Sequence, residues 1–137
     1  MSVMVLPLDS PDATLERVGG KGANLATLAR AGFTVPRGFL VTTAAYRAFV
    51  EANQLQERIL ELARAVPSQD PVALEQVWRQ IAALFEQHSM PFNIAREIEA
   101  AYVRLDPAGE LAVAVRSSAT AEDLPGMSFA GQQDTYL

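Results

Sequence analysis

The sequence contains no cysteine. Disulfide bonds, thiolate metal sites and a cysteine nucleophile are therefore excluded, and the absence fits a reducing compartment. Positive charge is also scarce, because eleven lysine and arginine residues stand against sixteen acidic ones and the net charge is −5. This balance argues against nucleic acid or an anionic membrane as a partner. Any anion that the protein binds must be held by a few local cations.

Long apolar runs are missing as well. No stretch approaches the roughly 18 apolar residues that a membrane helix needs. The N-terminal segment MSVMVLPLDSP has neither the positive charge nor the apolar length of a signal peptide. Half of the 137 residues are nevertheless hydrophobic, which is enough for one core. We therefore expect a single soluble, cytoplasmic domain.

The order of apolar runs and turn residues predicts an α+β fold, with several helices packed against a small mixed sheet. The strands are predicted at 4–8, 39–41, 111–115 and 132–137. The helices are predicted at 23–29 with Gly32 as the C-terminal cap, from Thr42 or Thr43 through Leu62, after Asp70-Pro71, and from 91 to Leu105.

Three further expectations concern burial. The helix after Asp70 carries apolar residues at the spacing of a buried stripe, and Trp78 in that stripe is predicted to lie in the core. The continuous apolar run at 111–115 is typical of a strand buried on both faces. His88 falls near a helix end, so packing or capping is a better explanation for it than catalysis.

A glycine-rich segment, Gly19-Gly20-Lys21-Gly22, runs into the first predicted helix. Phosphate binding requires flexible backbone, free N–H groups and a cation, and a helix N-terminus adds a favourable dipole. The segment supplies all of these, although neither the Walker A spacing nor the dinucleotide fingerprint is present. An ordinary glycine turn with a solvated lysine explains the same residues equally well.

A second candidate site follows the apolar run at 111–115, where Arg116-Ser117-Ser118 begin a loop rich in small residues. Ligands usually bind at strand ends in open α/β sheets, and an arginine there offers a fixed fork to phosphate oxygens. The loop suits a flap over a nucleotide. Alternatively, Arg116 forms a salt bridge with Glu122 or Asp123.

Two long stretches, VGGKGANLATLARAGFTVPRGFLVTTAAY and AVRSSATAEDLPGMSFAGQQDTYL, resemble the start of the pyruvate, phosphate dikinase and phosphoenolpyruvate synthase family. The resemblance covers the chain nearly end to end, except for the helical middle at about 50–105. It implies that residues 1–137 are the N-terminal subdomain of an ATP-grasp domain. The rest of that domain, the mobile phosphohistidine domain and any pyruvate barrel would then be absent.

The resemblance also implies roles for individual residues. Lys21 and Arg116 would grip the nucleotide phosphates and stabilise charge during phosphoryl transfer. The nucleotide would further contact Ser117, Gly131, Gln133 and Thr135. ATP and Mg²⁺ are the implied cofactors, with the metal ligands C-terminal to residue 137 and none within the chain.

The amino-acid sequences of the two motifs leave the phosphoryl acceptor open. SSATAEDLP and FAGQQDTYL are shared by synthases and rifampicin phosphotransferases, whereas GGKGANL is closer to the dikinase and rifampicin-enzyme form. Pyruvate is the favoured acceptor and an antibiotic hydroxyl the alternative. A stand-alone nucleotide-sensing or interaction module is a third interpretation.

An incomplete ATP site has consequences of its own. We expect the chain to be inactive alone, to expose an apolar patch that normally packs against the missing half, and to self-associate through it. The loop from Thr120 to Ala130 is expected to be poorly ordered without nucleotide.

Overall fold

The computed structural model describes residues 2–67 and 69–120, together with the backbone of 135–136. The helices of this part are α1 (Leu15–Arg30), α2 (Thr43–Ala52), α3 (Gln56–Arg64), α4 (Pro71–Gln87) and α5 (Phe92–Leu105). Its strands are β1 (Val5–Pro7), β2 (Phe39–Val41), β3 (Val115–Arg116) and β4 (Thr135–Tyr136). The prediction of helices combined with short strands is confirmed. None of the helices described is both long and apolar enough to span a bilayer.

The described strands form two antiparallel pairs, β1 with β2 and β3 with β4. The predicted mixed sheet is therefore wrong for these strands. Each strand is only two or three residues long and pairs with a single neighbour, so the two pairs share no strand that could join them into one sheet.

The chain divides into two compact units, one of residues 1–45 and 93–137 and the other of residues 46–92. The first unit has a small core that links α1 to β1 and β2. Its buried members are Leu6, Ala13, Val18 and Ala26, with Ala23 and Leu40 packed against them.

The helix α1 begins at Leu15 rather than near Ala23, and it is kinked at Gly19, where φ is 73° and ψ is 176°. The early start depends on tertiary contacts. Val18 is buried, and the hydroxyl of Thr43 donates a hydrogen bond to the carbonyl of Glu16 at 2.9 Å. Neither contact can be read from the polar segment that precedes the glycines.

The end of α1 agrees with the prediction. Gly32 adopts a left-handed φ of 89°, its N–H donates to the Ala29 carbonyl, and the Phe33 N–H donates to the Leu28 carbonyl. These two bonds define a Schellman motif, in which glycine avoids the strain that a Cβ atom would cause.

In the second unit, the predicted single helix through Leu62 is wrong, because α2 and α3 are separate. Gln54 has a positive φ of 55°, and the Leu55 N–H donates to the Val50 carbonyl at 2.9 Å. Leu55 and Val50 are both buried. Their burial stabilises this helix end. Asn53, the residue after Ala52, adds a local signal, because its side-chain amide donates to the Phe49 carbonyl at 3.0 Å.

The start of α4 is confirmed, because one Asp70 carboxylate oxygen accepts hydrogen bonds from the N–H groups of Val72 and Ala73 at 3.0 and 3.2 Å. The prediction that the apolar stripe of α4 is buried is wrong in part. Trp78 is 57% exposed, and α4 has no fully buried residue. Periodicity shows which residues share a helix face, whereas burial depends on what covers that face.

His88 ends α4 as a capping residue, as predicted. Its Nδ1 lies 2.6 Å from the Leu84 carbonyl, and a ring N–H donates to that oxygen. Phe85, on the preceding turn, stacks on Tyr46 and Phe49 with ring centroids 5.8 and 5.2 Å apart.

Candidate functional site

The two segments that the sequence analysis singled out meet in the first unit. The Gly20 N–H donates a hydrogen bond to the Ala119 carbonyl at 3.0 Å. The Gly22 N–H donates to the Ser118 hydroxyl oxygen at 3.1 Å. Residues almost a hundred positions apart in the sequence therefore form one local arrangement.

The kink at Gly19 explains why these donors are available. It makes Gly20 the start of the second stretch of α1, and the first N–H groups of a helical stretch have no acceptor within the helix. Ser118 and Ala119 supply acceptors for the Gly20 and Gly22 N–H groups. The expectation that the N–H groups of the glycine segment are free for phosphate is therefore wrong for these two.

The glycine at position 19 permits this close approach. A Cβ atom at Gly19 would lie 2.6 Å from the carbonyl carbon of Ser118. A Cβ atom at Gly22 would lie 2.9 Å from the Cβ of Val18 and 3.4 Å from a methyl carbon of Leu40. A side chain at position 19 would separate α1 from the segment at Ser118, whereas one at position 22 would crowd Val18 within α1 itself.

Lys21 lies between the two capped amides. Its Nζ donates a hydrogen bond to the Ser117 carbonyl at 3.3 Å, and the residue is half-buried. Lys21 is also the only lysine in the chain. The hydrogen bond holds its positive charge beside the residue that follows Arg116.

Arg116 is the last residue of β3 and is exposed. In the antiparallel pair with β4, Thr135 lies opposite it. Arg116 forms no salt bridge with any residue that the structure describes. The alternative partners Glu122 and Asp123 lie outside the described residues.

Three other expectations also fall largely or wholly outside the described residues. They are the nucleotide contacts of Gly131 and Gln133 and the poor order of the loop from Thr120 to Ala130, of which only Thr120 is described.

The apolar run before Arg116 is not the strand buried on both faces that its composition predicts. Only Val115 of that run belongs to β3, and Val115 is 61% exposed. Among the described strands, β3 has β4 as its single neighbour, so no second strand covers its other edge.

A turn after α5 fixes the start of the segment that leads to β3. One carboxylate oxygen of Asp106 accepts hydrogen bonds from the N–H groups of Glu110 and Leu111 at 2.7 and 2.8 Å. The other oxygen accepts from Ala108 at 3.2 Å. The Tyr102 hydroxyl donates to the Leu111 carbonyl at 2.7 Å. The N–H and the carbonyl of Leu111 are therefore both fixed by hydrogen bonds.

The same hydrogen bonds lower the pKa of Asp106. The bond from the Glu110 N–H has the largest effect, the bonds from Leu111 and Ala108 act in the same direction, and the positive charge of Arg37 adds to them. Partial desolvation opposes the shift. The net result is a pKa below the ordinary value of 3.8, so this carboxylate is ionised at neutral pH.

Two adjoining cavities, of about 200 and 360 Å³, lie along β1 and β2 near the end of α5. They share Pro7, Gly38 and Leu105 as lining residues. Neither is lined by Lys21 or by Arg116.

A protein-family model described as the pyruvate phosphate dikinase, AMP/ATP-binding domain matches residues 15–137. The chain belongs to this family. The matched region contains α1 with Lys21 as well as the segment from Arg116 to Thr135.

Several relatives are similar over most of the chain. A probable phosphoenolpyruvate synthase of Methanocaldococcus jannaschii is 47% identical over 122 residues, which are 87% of this chain and 10% of the relative. The phosphoenolpyruvate synthase of Neisseria meningitidis serogroup B is 45% identical over 130 residues, 90% of this chain and 16% of the relative. A rifampicin phosphotransferase of Streptomyces sviceus is 49% identical over 123 residues, 88% of this chain and 14% of the relative. The chain therefore spans between a tenth and about a sixth of these three relatives.

The acidic residues of the described part do not form a metal site. No group of three or more histidine, aspartate or glutamate side chains lies close enough there to bind an ion.

Sequence reasoning identified Lys21 and Arg116 but missed how they are positioned. The hydroxyl group of Ser118 and the turn at Asp106 hold the backbone on either side of Arg116. The turn had a local signal in Asp106-Pro107-Ala108-Gly109. The contact of Ser118 with Gly22 had none, because it joins distant segments.

Proposed function

We propose that this chain forms part of the ATP site of a phosphotransferase of the phosphoenolpyruvate synthase type. The observation that carries the proposal is the hydrogen bond from Lys21 Nζ to the Ser117 carbonyl at 3.3 Å. It brings the only lysine of the chain to the segment that presents Arg116. The match to an AMP/ATP-binding domain supports a nucleotide as the ligand of this surface.

Lys21 and Arg116 would bind the phosphates in different ways. The lysine ammonium acts as a compact point charge, whereas the guanidinium offers a planar fork that fits two phosphate oxygens. Together they would neutralise negative charge in the transferring group. Ser117, Gly131, Gln133 and Thr135 would complete the contacts to the nucleotide. The pairing of Thr135 with Arg116 favours this role for Thr135.

In the complete protein, ATP, pyruvate and water would give phosphoenolpyruvate, AMP and phosphate through a phosphohistidine. His88 is the only histidine of this chain, and one of its ring nitrogens is engaged at the end of α4. The family resemblance implies that the phosphorylated histidine and the Mg²⁺ ligands would come from outside residues 1–137. For the same reason, we expect that the chain alone does not turn over.

This assignment makes residues 1–137 the N-terminal subdomain of an ATP-grasp domain. A cytoplasmic location would suit the proposed metabolic role. A stand-alone nucleotide-sensing module would need no histidine, and it predicts nucleotide binding without phosphoryl transfer in the product of the complete reading frame.

A rifampicin phosphotransferase is the second candidate, because a relative of that name is 49% identical over 123 residues. The two candidates share the ATP site and differ in the acceptor. Incubating the product of the complete reading frame with ATP and either pyruvate or rifampicin separates them. Phosphoenolpyruvate supports the first candidate, and phosphorylated antibiotic supports the second.

The nucleotide site itself is tested by calorimetric titration of the product of the complete reading frame with ATP in the presence of Mg²⁺. Lys21→Ala and Arg116→Ala should each weaken binding by about tenfold or more, because each removes a charge-assisted hydrogen bond. Arg79→Ala is the matched control, since Arg79 lies on α4 and pairs with Glu75 at 2.7 Å. Equal affinity in all four proteins would contradict the proposal.

A further inference from the structure

The Ser118 hydroxyl connects the two cationic residues of the proposed site. Its oxygen accepts the Gly22 N–H at 3.1 Å, one residue from Lys21. Its own backbone lies two residues beyond Arg116. The carbonyl of the neighbouring Ala119 accepts the Gly20 N–H at 3.0 Å, on the other side of Lys21.

The two hydrogen bonds lie on either side of Lys21 along the chain, and they act as a helix cap that a distant segment supplies. An ordinary cap is a side chain next to the helix start. Gly19 precedes this start and has no side chain, so position 19 supplies no capping group. Capping from 118–119 therefore links the orientation of the first turn after the kink to the position of β3.

We infer that Ser118 is a positioning residue, whose hydroxyl holds Lys21 in register with Arg116 for phosphate binding. This inference rests on the proposed function. In this role Ser118 acts on Lys21 through the backbone of α1, because its oxygen accepts the Gly22 N–H, whereas its O–H stays available as a donor. The alternative is competition, in which phosphate must displace the hydroxyl to reach the same N–H. The two interpretations predict opposite changes in binding. Removing the hydroxyl weakens phosphate binding if Ser118 positions Lys21, and strengthens it if Ser118 competes with phosphate.

The test uses the product of the complete reading frame and compares ATP dissociation constants by calorimetry. Ser118→Ala should raise the dissociation constant about fivefold, the effect of losing a typical helix cap. Ser118→Thr keeps the hydroxyl and should restore most of the affinity. Thr27→Ala is the matched control, because Thr27 lies on the same helix and its hydroxyl donates only to the Ala23 carbonyl at 3.0 Å. It should bind ATP as the parent protein does.

Hydrogen exchange supplies a readout that is independent of the nucleotide. In Ser118→Ala, the amide of Gly22 should exchange about fivefold faster or more, because its acceptor is lost. The amides of α5 should keep their exchange rates. Faster exchange throughout the first unit would indicate general destabilisation and contradict a positioning role.

The outcomes separate this inference from the proposed function. If Lys21→Ala and Arg116→Ala weaken binding while Ser118→Ala leaves it unchanged or strengthens it, the positioning role is wrong and the site stands. If Ser118→Thr binds as poorly as Ser118→Ala, the hydroxyl is not the cause. If neither Lys21→Ala nor Arg116→Ala changes binding, or if the parent protein binds no ATP, the proposed function fails and this inference fails with it.

Discussion

A Cβ atom at Gly19 would lie 2.6 Å from the carbonyl carbon of Ser118, so the backbone of α1 directly contacts the segment that follows β3. The contact leaves no space for a side chain. It lies two residues from Lys21 and two from Arg116, which makes the relative placement of these cations sensitive to any change at Gly19.

Gly19→Ala should destabilise the first unit. The φ and ψ of Gly19, 73° and 176°, are essentially restricted to glycine, and such strain costs of order 1–3 kcal/mol. The clash with Ser118 adds to it. Chemical denaturation gives the loss in the free energy of unfolding.

Gly32→Ala is the matched control for this substitution. Gly32 also has a positive φ, 89°, but a Cβ atom there would meet nothing within 4 Å. Its cost should therefore reflect backbone strain alone and be smaller. Equal losses in the two variants would contradict the close contact between Gly19 and Ser118.

The Asp106 carboxylate should give the protein a pH-dependent stability. Because its pKa in the folded state lies below the ordinary 3.8, the unfolded state binds the proton more readily. The stabilisation is therefore complete above the unfolded-state pKa and is lost as the pH falls through the folded-state pKa. Asp106→Asn should lower the free energy of unfolding near neutral pH.

Denaturation of both proteins over a range of pH checks this expectation. The difference between the parent and Asp106→Asn should narrow at acid pH, where the parent carboxyl is protonated as well. A difference that stays constant down to about pH 2 would contradict the role of the charge.

The exposed face of α4 offers a test of self-association. Trp78, the only tryptophan, is 57% exposed, and Leu74, one turn earlier, is 44% exposed. At low protein concentration, the fluorescence of Trp78 should be that of an indole in water, and iodide should quench it readily. If the chain associates through this face, emission should shift to shorter wavelength as the concentration rises.

Sedimentation velocity on the parent and on Trp78→Gln distinguishes the outcomes. Association that the substitution abolishes supports contact through α4, because the substitution removes the largest apolar side chain of the face. A parent protein that remains monomeric at high concentration, with unchanged emission, would contradict the expectation of self-association.

Local signals in the sequence predicted several features of the fold correctly. Asp70 caps α4 and Gly32 ends α1, because each feature depends on side-chain chemistry within a few residues. The break between α2 and α3 at Gln54 was not predicted, because it depends more on packing than on nearby side-chain chemistry. It depends on burial of Leu55, and a glutamine at positive φ gives no warning in the sequence.

The candidate site was predictable in its residues and not in its geometry. Lys21 and Arg116 have the chemistry that phosphate demands, and the family resemblance pointed to both. The capping of Gly20 and Gly22 depends on a kink at Gly19 and on a contact across the fold. The expectation of free N–H groups failed at this point, since no sequence pattern shows that another segment uses them.

The central claim is that Lys21 and the Arg116 segment bind the phosphates of ATP, and acylation of amines tests it most directly. In a polypeptide of residues 1–137, Lys21 is the only lysine, so an amine-selective acylating reagent has two targets there, Lys21 and the α-amino group. Mass spectrometry gives both rates, and the α-amino group is an internal control. We predict that ATP slows acylation of Lys21 relative to the α-amino group, that adenosine does not, and that Arg116→Ala weakens the protection. Equal rates at Lys21 with and without saturating ATP would contradict the claim.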